Sequence, residues 1–469
     1  MAMSQSSQLK STLQALRDRP DELIDIILRQ AEAIQQMQQE IEDLQKQIRD
    51  LNDRNNGLST KVEQLEKAAA RQAAPFRIPD KHRRLDPKKP GRQKGHPGSY
   101  RSIPDHVDEE IIVPLAACPE CGREVGPRRR VVQYIEELPV VRPQVIKLVT
   151  EEADCVHCEK AVRSRHPLQV SLAQGAAGVQ LGPRALGLAA ELNKKHGLTM
   201  RKTCAVLGQV FQLRLSPGGL AQALARLARK LGPTYENLLA RLRDGPYVHS
   251  DETSWWVGRP GYWLWVFADK TTTVYRVAQG RGRNIILETL GSKFPGVLVS
   301  DCLSIYDDVN EHQQKCYSHH LKAISKALEE GPSPYLEELR AMLKAAMALK
   351  NAPLEAQQYA QHRAALDQKA QQLLSAPRPG WEEKVRMRLY KQRDHLFTFL
   401  DHREVEATNN LAERQLRPAV IARKVSCGNK TPKGAGVWEI LASLAATCAQ
   451  RGESFAKLIS QTALLAQAR

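Results

Sequence analysis

The sequence contains no run of about 18 apolar residues, so it predicts no membrane-spanning helix. Its first residues, MAMSQSSQLK, lack the apolar core of a secretory signal, and a cytosolic chain is expected. A reducing cytosol disfavours disulfides, which makes paired members of the nine cysteines candidates for metal. No self-similarity recurs at solenoid periods, which argues against a repeat array. Acidic charge is scarce relative to basic: 52 Asp and Glu face 69 Lys and Arg, leaving a net charge of +17. That excess favours a polyanionic partner, nucleic acid before an acidic membrane, although charge alone also fits a solvated surface. The 469 residues allow roughly three domains of ~150 residues. A hydrophobic content of 42% is enough for globular cores.

What is present begins with a heptad. Ile27, Ile34, Ile41, Ile48, Asn55 and Val62 are seven apart, and Met37, Leu44, Leu51, Leu58 and Leu65 form a second row. Beta-branched residues in one row with leucine in the other favour a parallel two-stranded coil, in which Asn55 would fix register. A single amphipathic helix packed on its own protein is the alternative. Residues 71–106 are dense in proline and glycine, with nine Lys/Arg from Arg77 to Arg101 against Asp80 and Asp86. Such a segment is an extended arm able to follow phosphates, or a plain spacer. Lys88, Lys89, Arg92 and Lys94 are its candidate DNA contacts.

Residues 107–170 hold strand-like runs, EEIIVPL and QVIKLVTEEADCV, around Cys118-x-x-Cys121 and Cys155-x-x-Cys158. Two such knuckles complete a four-cysteine structural zinc site, whose closed coordination holds a fold and does no chemistry. Unmetallated cysteine is the alternative. Arg128, Arg129 and Arg130 beside the first knuckle suit a nucleic-acid surface. Residues 181–243 read as helix, turn, helix, turn, helix, with Thr199 and Ser216 as N-caps and Pro217 at a first helical position. Leu220, Leu224 and Leu227 form the buried stripe of the third helix, leaving Arg226, Arg229 and Lys230 for the major groove if this is a helix-turn-helix. Three-helix packing without DNA fits the same pattern.

Residues 246–301 read as strands: PYVHSDETSWWV, GYWLWVFAD and TTTVYRVA, then a helical stretch and GVLVSD. Asp251 lies in the first and Asp301 ends the last. Carboxylates at the ends of two adjacent strands, joined by a third from a later helix, can hold two divalent ions that activate water and stabilise a leaving oxygen. Glu252 adjoins Asp251, and neighbours on a strand face opposite sides, so one of them should point into a site. Trp255, Trp256, Trp263 and Trp265 should mostly be core, with a rim tryptophan free to stack on an unpaired base. The third carboxylate is ambiguous locally. In REVEATNNLAERQLRP, Asn410 as N-cap would make Glu413 the N3 member of a capping box, and Glu413 is also spaced to pair with Arg417.

The heptad, KKPGRQKGHPG, the two knuckles, HSDET, SDCLSIY, CYSHH and NNLAERQLRP, in that order, resemble the transposases of the insertion-sequence-66 family, bacterial mobile-element enzymes of the DDE class. Departures mark a divergent branch: Thr408 stands where an acid is common, Tyr317 where a tryptophan is common, and PGRQKGH replaces a Gly-Gly-Gln-Pro-Gly-His signature. The resemblance implies an α/β multidomain protein with a ribonuclease-H-like catalytic domain. It implies that Asp251, Asp301 and Glu413 form the metal-binding triad for two Mg²⁺ (or Mn²⁺) ions. Glu404 and Glu406 do not match the motif. Cys316 and His319 match a Cys-x-x-His element expected to give structural support.

The organisation expected is a dimerising coiled coil at 1–70, the basic arm at 71–106 and a zinc ribbon at 107–170. A helix-turn-helix-like region at 171–244 follows. The catalytic domain spans 245–430, with a helical insertion at about 330–400, and a helical tail covers 431–469. The expected activity is binding of terminal inverted repeats, then strand cleavage and transfer, in a homodimer or larger assembly on element and target DNA. Arg414 and Arg417 would join the DNA contacts. Accessory proteins from the same element are candidate partners, no membrane is involved, and the place of action is the bacterial cytoplasm at the nucleoid. The rival readings are a DNA-binding regulator or domesticated remnant without chemistry, and a nuclease that hydrolyses but does not join.

Overall fold

The computed structural model describes residues 20–72, 95–97, 101–170, 172–174 and 178–463, in two compact units, 1–135 and 136–469. Lys88, Lys89, Arg92 and Lys94 lie outside the described residues.

In the first unit one helix, α1 (Pro20–Gln72), carries the heptad. Ile27, Ile34, Ile41 and Ile48 are each more than half exposed, as are Met37, Leu44, Leu51 and Leu58. A helix with its apolar seam in water gains nothing from burial, and most helical stability in proteins comes from packing such a face. The side chains of Val62 and Leu65 lie outside the described set.

The run EEIIVPL forms no strand, and Ile111, Ile112 and Val113 stand exposed. Of QVIKLVTEEADCV only β1 (Glu152–Asp154) is a strand, paired antiparallel with β2 (Ala161–Arg163). Beta-branched composition makes a segment extended, but a strand also needs a partner in register, and the described residues of 107–170 have one only here.

The second unit is built on a five-stranded sheet of β3 (Tyr247–Trp255), β4 (Tyr262–Ala268), β5 (Thr273–Gln279), β6 (Val297–Ser300) and β7 (Gln313–Lys315). Their order is β5-β4-β3-β6-β7, antiparallel from β5 to β3 and parallel from β3 to β7. Strand parity divides the side chains between two faces. Val248, Trp265, Phe267, Val274 and Leu298 enter one core. Leu264, Val266, Tyr275, Val297 and Val299 face the other way.

The first face is covered by α2 (Pro183–Ala190), which continues as a π-turn to Lys195, and by α3 (Met200–Phe211), α4 (Pro217–Arg243) and α5 (Asn284–Leu290). Thr199 and Ser216 cap α3 and α4, their hydroxyls accepting the N–H of Lys202 and Gly219 at 3.3 and 3.0 Å. The stripe Leu220, Leu224 and Leu227 continues through Leu231, Tyr235, Leu238 and Leu242, so α4 is 27 residues long. It shares one hydrophobic cluster with the sheet, and residues on both sides of position 244 belong to that core.

The second face takes two groups of helices. Over β6 and β7 lie α6 (Tyr317–Ala327), α7 (Pro334–Lys350), α8 (Ala356–Ser375), α9 (Gly380–Lys391) and α10 (Thr398–Asp401). Over β3 to β5 lie α11 (Asn410–Ser426) and α12 (Pro432–Arg451). The last helix, α13 (Phe455–Ala463), returns to the first face. No helix among the described residues is long and apolar enough to cross a membrane.

Candidate active site at the β3, β6 and α11 junction

The parallel register of β3 and β6 pairs Tyr247 with Val297, Val248 with Leu298 and His249 with Val299. The pairing ends there; continued by two residues, the same register would bring Asp251 beside Asp301, the residue after β6. Adjacent strands run about 4.8 Å apart, and alternation along β3 and β6 gives Asp251 and Asp301 the same face as Val297 and Val299. Each carboxylate is fixed locally. The Asp251 Oδ1 accepts the Glu252 N–H at 2.8 Å, and the Asp301 Oδ1 accepts the Leu303 N–H at 3.0 Å.

Glu252 points to the opposite face. It is buried, accepts from the Tyr306 hydroxyl at 2.5 Å and from the Arg281 Nε at 2.9 Å, and so has its own partners. Of the tryptophans, Trp255 and Trp265 are core, Trp263 is partly buried, and Trp256 is exposed at the end of β3. Next to it, Gly428 has φ +83° and a Cβ there would lie 2.5 Å from the Trp256 carbonyl oxygen. Only glycine lets the α11–α12 connection approach β3 so closely.

The start of α11 differs from the capping box that the sequence allows. The N-cap is Asn409, Asn410 is the first helical residue, and Glu413 falls one place later, its N–H bonded to the Asn409 carbonyl at 3.2 Å. Asn409 makes no side-chain cap, because its amide is committed to β3. Nδ2 donates to the Ser250 carbonyl at 2.8 Å and Oδ1 meets the His249 Nδ1 at 3.1 Å. Its backbone N–H donates to the Cys316 Sγ at 3.2 Å. A buried asparagine therefore docks the helix that carries Glu413 onto the strand that carries Asp251. Sequence reading missed His249 and Asn409; the available signal was a polar pair, NN, at the end of a helix-poor stretch.

The electrostatics bind the three carboxylates together. The Asp251 carboxyl is pushed up to about 7 by burial first, then by repulsion from Glu252, Asp301 and Glu413, against the Glu252 N–H bond that lowers it. His249 is pushed down to about 4, mainly by burial, with Arg414's charge adding to it. The imidazole is therefore neutral, and with Asn409 Oδ1 as acceptor its proton sits on Nδ1.

Glu413 also has neighbours on its other side. The Cys316 Sγ, a His319 ring nitrogen and a Glu413 carboxylate oxygen all lie within 4.8 Å of one another. Cys316 is fully buried at the N-cap of α6, and His319 is three residues on. Burial pushes the Cys316 thiol up, but hydrogen bonds from the His319 side chain and from the Asn409 and His319 backbone leave it below its ordinary value. His319 is raised, chiefly by Cys316, with Asp301 and Glu413 adding to the effect. Glu404 and Glu406 are exposed.

The basic candidates are placed as follows. Arg226, Arg229, Arg414 and Arg417 are exposed on α4 and α11, and Arg128, Arg129 and Arg130 are exposed in the first unit. Lys230 is half-buried and its ammonium donates to the Ala463 carbonyl at 2.6 Å, at the end of α13. The two knuckles have the same turn. The Cys118 N–H bonds the Arg123 carbonyl at 2.9 Å and the Gly122 N–H returns to Cys118 at 2.9 Å; Cys155, Lys160 and Glu159 repeat this at 3.0 and 2.9 Å. Gly122 and Glu159 take the left-handed position, at φ +70° and +55°. Backbone N–H groups hold both leading thiols below their ordinary value, from Glu120 and Cys121 on Cys118 and from Cys158 and His157 on Cys155.

Asp251 lies in the middle of β3 and not at its end as the sequence suggested, Asp301 directly follows β6, and Glu413 comes from a docked helix. Residues 178–436, more than half of the chain, match the family described as Transposase IS66 family. The chain belongs to that family. A protein of Sinorhizobium fredii (strain NBRC 101917 / NGR234), called uncharacterized protein y4qI, is 25% identical over 450 residues, 87% of this chain and 78% of its own length.

Proposed function

We propose that the protein is a DNA transposase that binds the terminal inverted repeats of a mobile element and catalyses strand cleavage and strand transfer at Asp251, Asp301 and Glu413. The observation that carries this is the register continuation that would bring Asp251 beside Asp301, with Glu413 near enough to raise the Asp251 pKa. The second-unit sheet, flanked by helices on both faces and carrying helices α7 to α9 between β7 and α11, supports reading it as the ribonuclease-H-like domain.

The residues present fit a hard divalent cation. All three side chains offer oxygen, and burial first, then repulsion from Glu252, Asp301 and Glu413, holds Asp251 up at about 7, a carboxyl whose negative charge such a cation would neutralise. Asp251, Asp301 and Glu413 would hold two Mg²⁺ (or Mn²⁺) ions, whose chemistry when bound is activation of water and stabilisation of the leaving oxygen of a phosphodiester. The strands would keep the two aspartates at fixed separation, and Asn409, bonded to β3, would hold the helix that carries Glu413 against that strand. Arg414 and Arg417, exposed beside Glu413, would draw the phosphate backbone to the site. Trp256, exposed at the end of β3, would stack on an unpaired base at the cleaved end.

The two cysteine knuckles would serve as structural zinc ligands, with the leading thiols Cys118 and Cys155 held below their ordinary value by backbone N–H groups. The exposed heptad of α1 would pair two chains, and the basic arm, Arg128 to Arg130, Arg226 and Arg229 would grip the element ends in the bacterial cytoplasm.

The test uses purified protein on its own element ends with Mg²⁺. Asp251→Asn, Asp301→Asn and Glu413→Gln should each lose cleavage and joining while still binding the ends. Normal strand transfer by Glu413→Gln would sink the assignment.

A further inference from the structure

Glu413 is shared between two sets of neighbours, and the second set is chemically unlike the first. We propose that Cys316, His319 and Glu413 form a second cation site, selective for a soft divalent metal such as Zn²⁺, and that its occupation withdraws Glu413 from the two aspartates. The withdrawal, though not the metal site itself, rests on the catalytic reading of Glu413.

Three observations support the site. A thiol sulfur, an imidazole nitrogen and a carboxylate oxygen converge to within 4.8 Å. Two of the ligands are rigid: Cys316 is buried and bonded by the Asn409 N–H, and His319 sits three residues later on the same helical face. The His319 ring interacts with the Cys316 thiol, and among the described residues its buried Nδ1 has no hydrogen-bond partner, an arrangement that costs free energy unless something occupies its lone pair or accepts its proton.

The third ligand is the exposed one. Glu413 is exposed in the first turn of α11, and its long side chain can reach Cys316 and His319 or turn toward Asp251 and Asp301. Ligand chemistry then separates the two destinations. Mg²⁺ takes oxygen ligands and prefers an octahedral shell rich in water, so it favours the carboxylates. Sulfur and imidazole favour Zn²⁺, and three protein ligands leave its fourth tetrahedral position open to solvent. A Glu413 carboxylate held by Zn²⁺ beside Cys316 and His319 is turned away from Asp251 and Asp301, so Zn²⁺ there opposes Mg²⁺-dependent chemistry.

The experiment counts zinc bound to the full-length protein after equilibrium dialysis against Zn²⁺. Cys316→Ser, which keeps an acceptor for the Asn409 N–H, and His319→Gln, at a half-buried position, should each hold one zinc fewer per chain than the parent. Changes to outer partners of a metal already cost about 10–100-fold in affinity, so loss of a ligand should cost at least that. Cys118→Ser with Cys121→Ser, which changes only the first knuckle, should retain the zinc that the two single variants lose. In parallel, added Zn²⁺ should suppress Mg²⁺-dependent cleavage by the parent, and each variant, normalised to its own zinc-free rate, should resist. An unchanged zinc count in both Cys316→Ser and His319→Gln overturns the site. A reduced count with an unchanged inhibition curve overturns the withdrawal of Glu413. If Glu413→Gln cleaves normally, the catalytic reading fails, while the zinc count still decides the site.

Discussion

Replacement of Asn409 by alanine tests how the site is assembled. Asn409 is 1% exposed and its amide joins α11 to β3 through the Ser250 carbonyl at 2.8 Å and the His249 Nδ1 at 3.1 Å. Alanine strands both partners in a buried setting. An unsatisfied buried group costs about 1–3 kcal/mol, and the Ser250 carbonyl keeps a second lone pair, so the sum is about 2–4 kcal/mol. His249 would be left neutral with its Nδ1–H unpaired, because burial holds its pKa near 4.

At about 2 °C per kcal/mol for a unit of this size, the thermal midpoint should fall by about 4–8 °C. Glu413 lies one helical turn from Asn409, and a displacement of about 1 Å at a reacting group can cost about 100-fold in rate. Cleavage should therefore fall by about that factor at temperatures where the variant is folded. Asn409→Asp keeps the acceptor for His249 but sets an oxygen against the Ser250 carbonyl, so it too should destabilise, and less so at low pH where its carboxyl regains a proton to donate. Thermal denaturation by circular dichroism and a cleavage assay on element ends measure the two effects. An Asn409→Ala protein that melts within about 1 °C of the parent and cleaves at the parental rate would refute the docking role.

Two further outcomes are expected. Asp251 is raised to about 7, so in the range from its ordinary value near 4 up to 7 the folded state holds a proton that the unfolded chain does not, and this contribution to stability is lost as pH rises through 7. A cation must displace that proton at lower pH; stabilisation by Mg²⁺ should be larger at pH 8 than at pH 6, with Asp251→Asn removing the difference, as read by thermal shift. In α1, Ile34→Asp with Ile41→Asp places charges on a seam where each buried isoleucine contributes about 1.5–3 kcal/mol; sedimentation should show a dimer become a monomer, and an unchanged mass would exclude pairing through this helix.

The readable parts of the sequence were those set by short-range rules. The caps Thr199 and Ser216 lie within three residues of the N–H groups they accept, and the heptad of α1 and leucine stripe of α4 are periodic along a single helix. Strand parity already implied that Asp251 and Glu252 face apart, because alternation is a property of the extended backbone. The strand-like reading of EEIIVPL failed because composition makes a chain extended, while pairing needs a partner that local sequence cannot supply.

By itself, the sequence determined the elements, their faces and the order of motifs that marks the family. Tertiary structure decided the environment of Glu413. Local spacing offered it a capping box with Asn410, but the helix starts one residue earlier, since Asn409 is held by Ser250 and His249 about 160 positions away. Register between β3 and β6 likewise ran toward Asp251 and Asp301, and the meeting of the N-terminal ends of α6 and α11 brought Cys316 and His319 to the same glutamate. These contacts join residues far apart in the chain, and their free energy is gained only once the sheet and its helices are packed together.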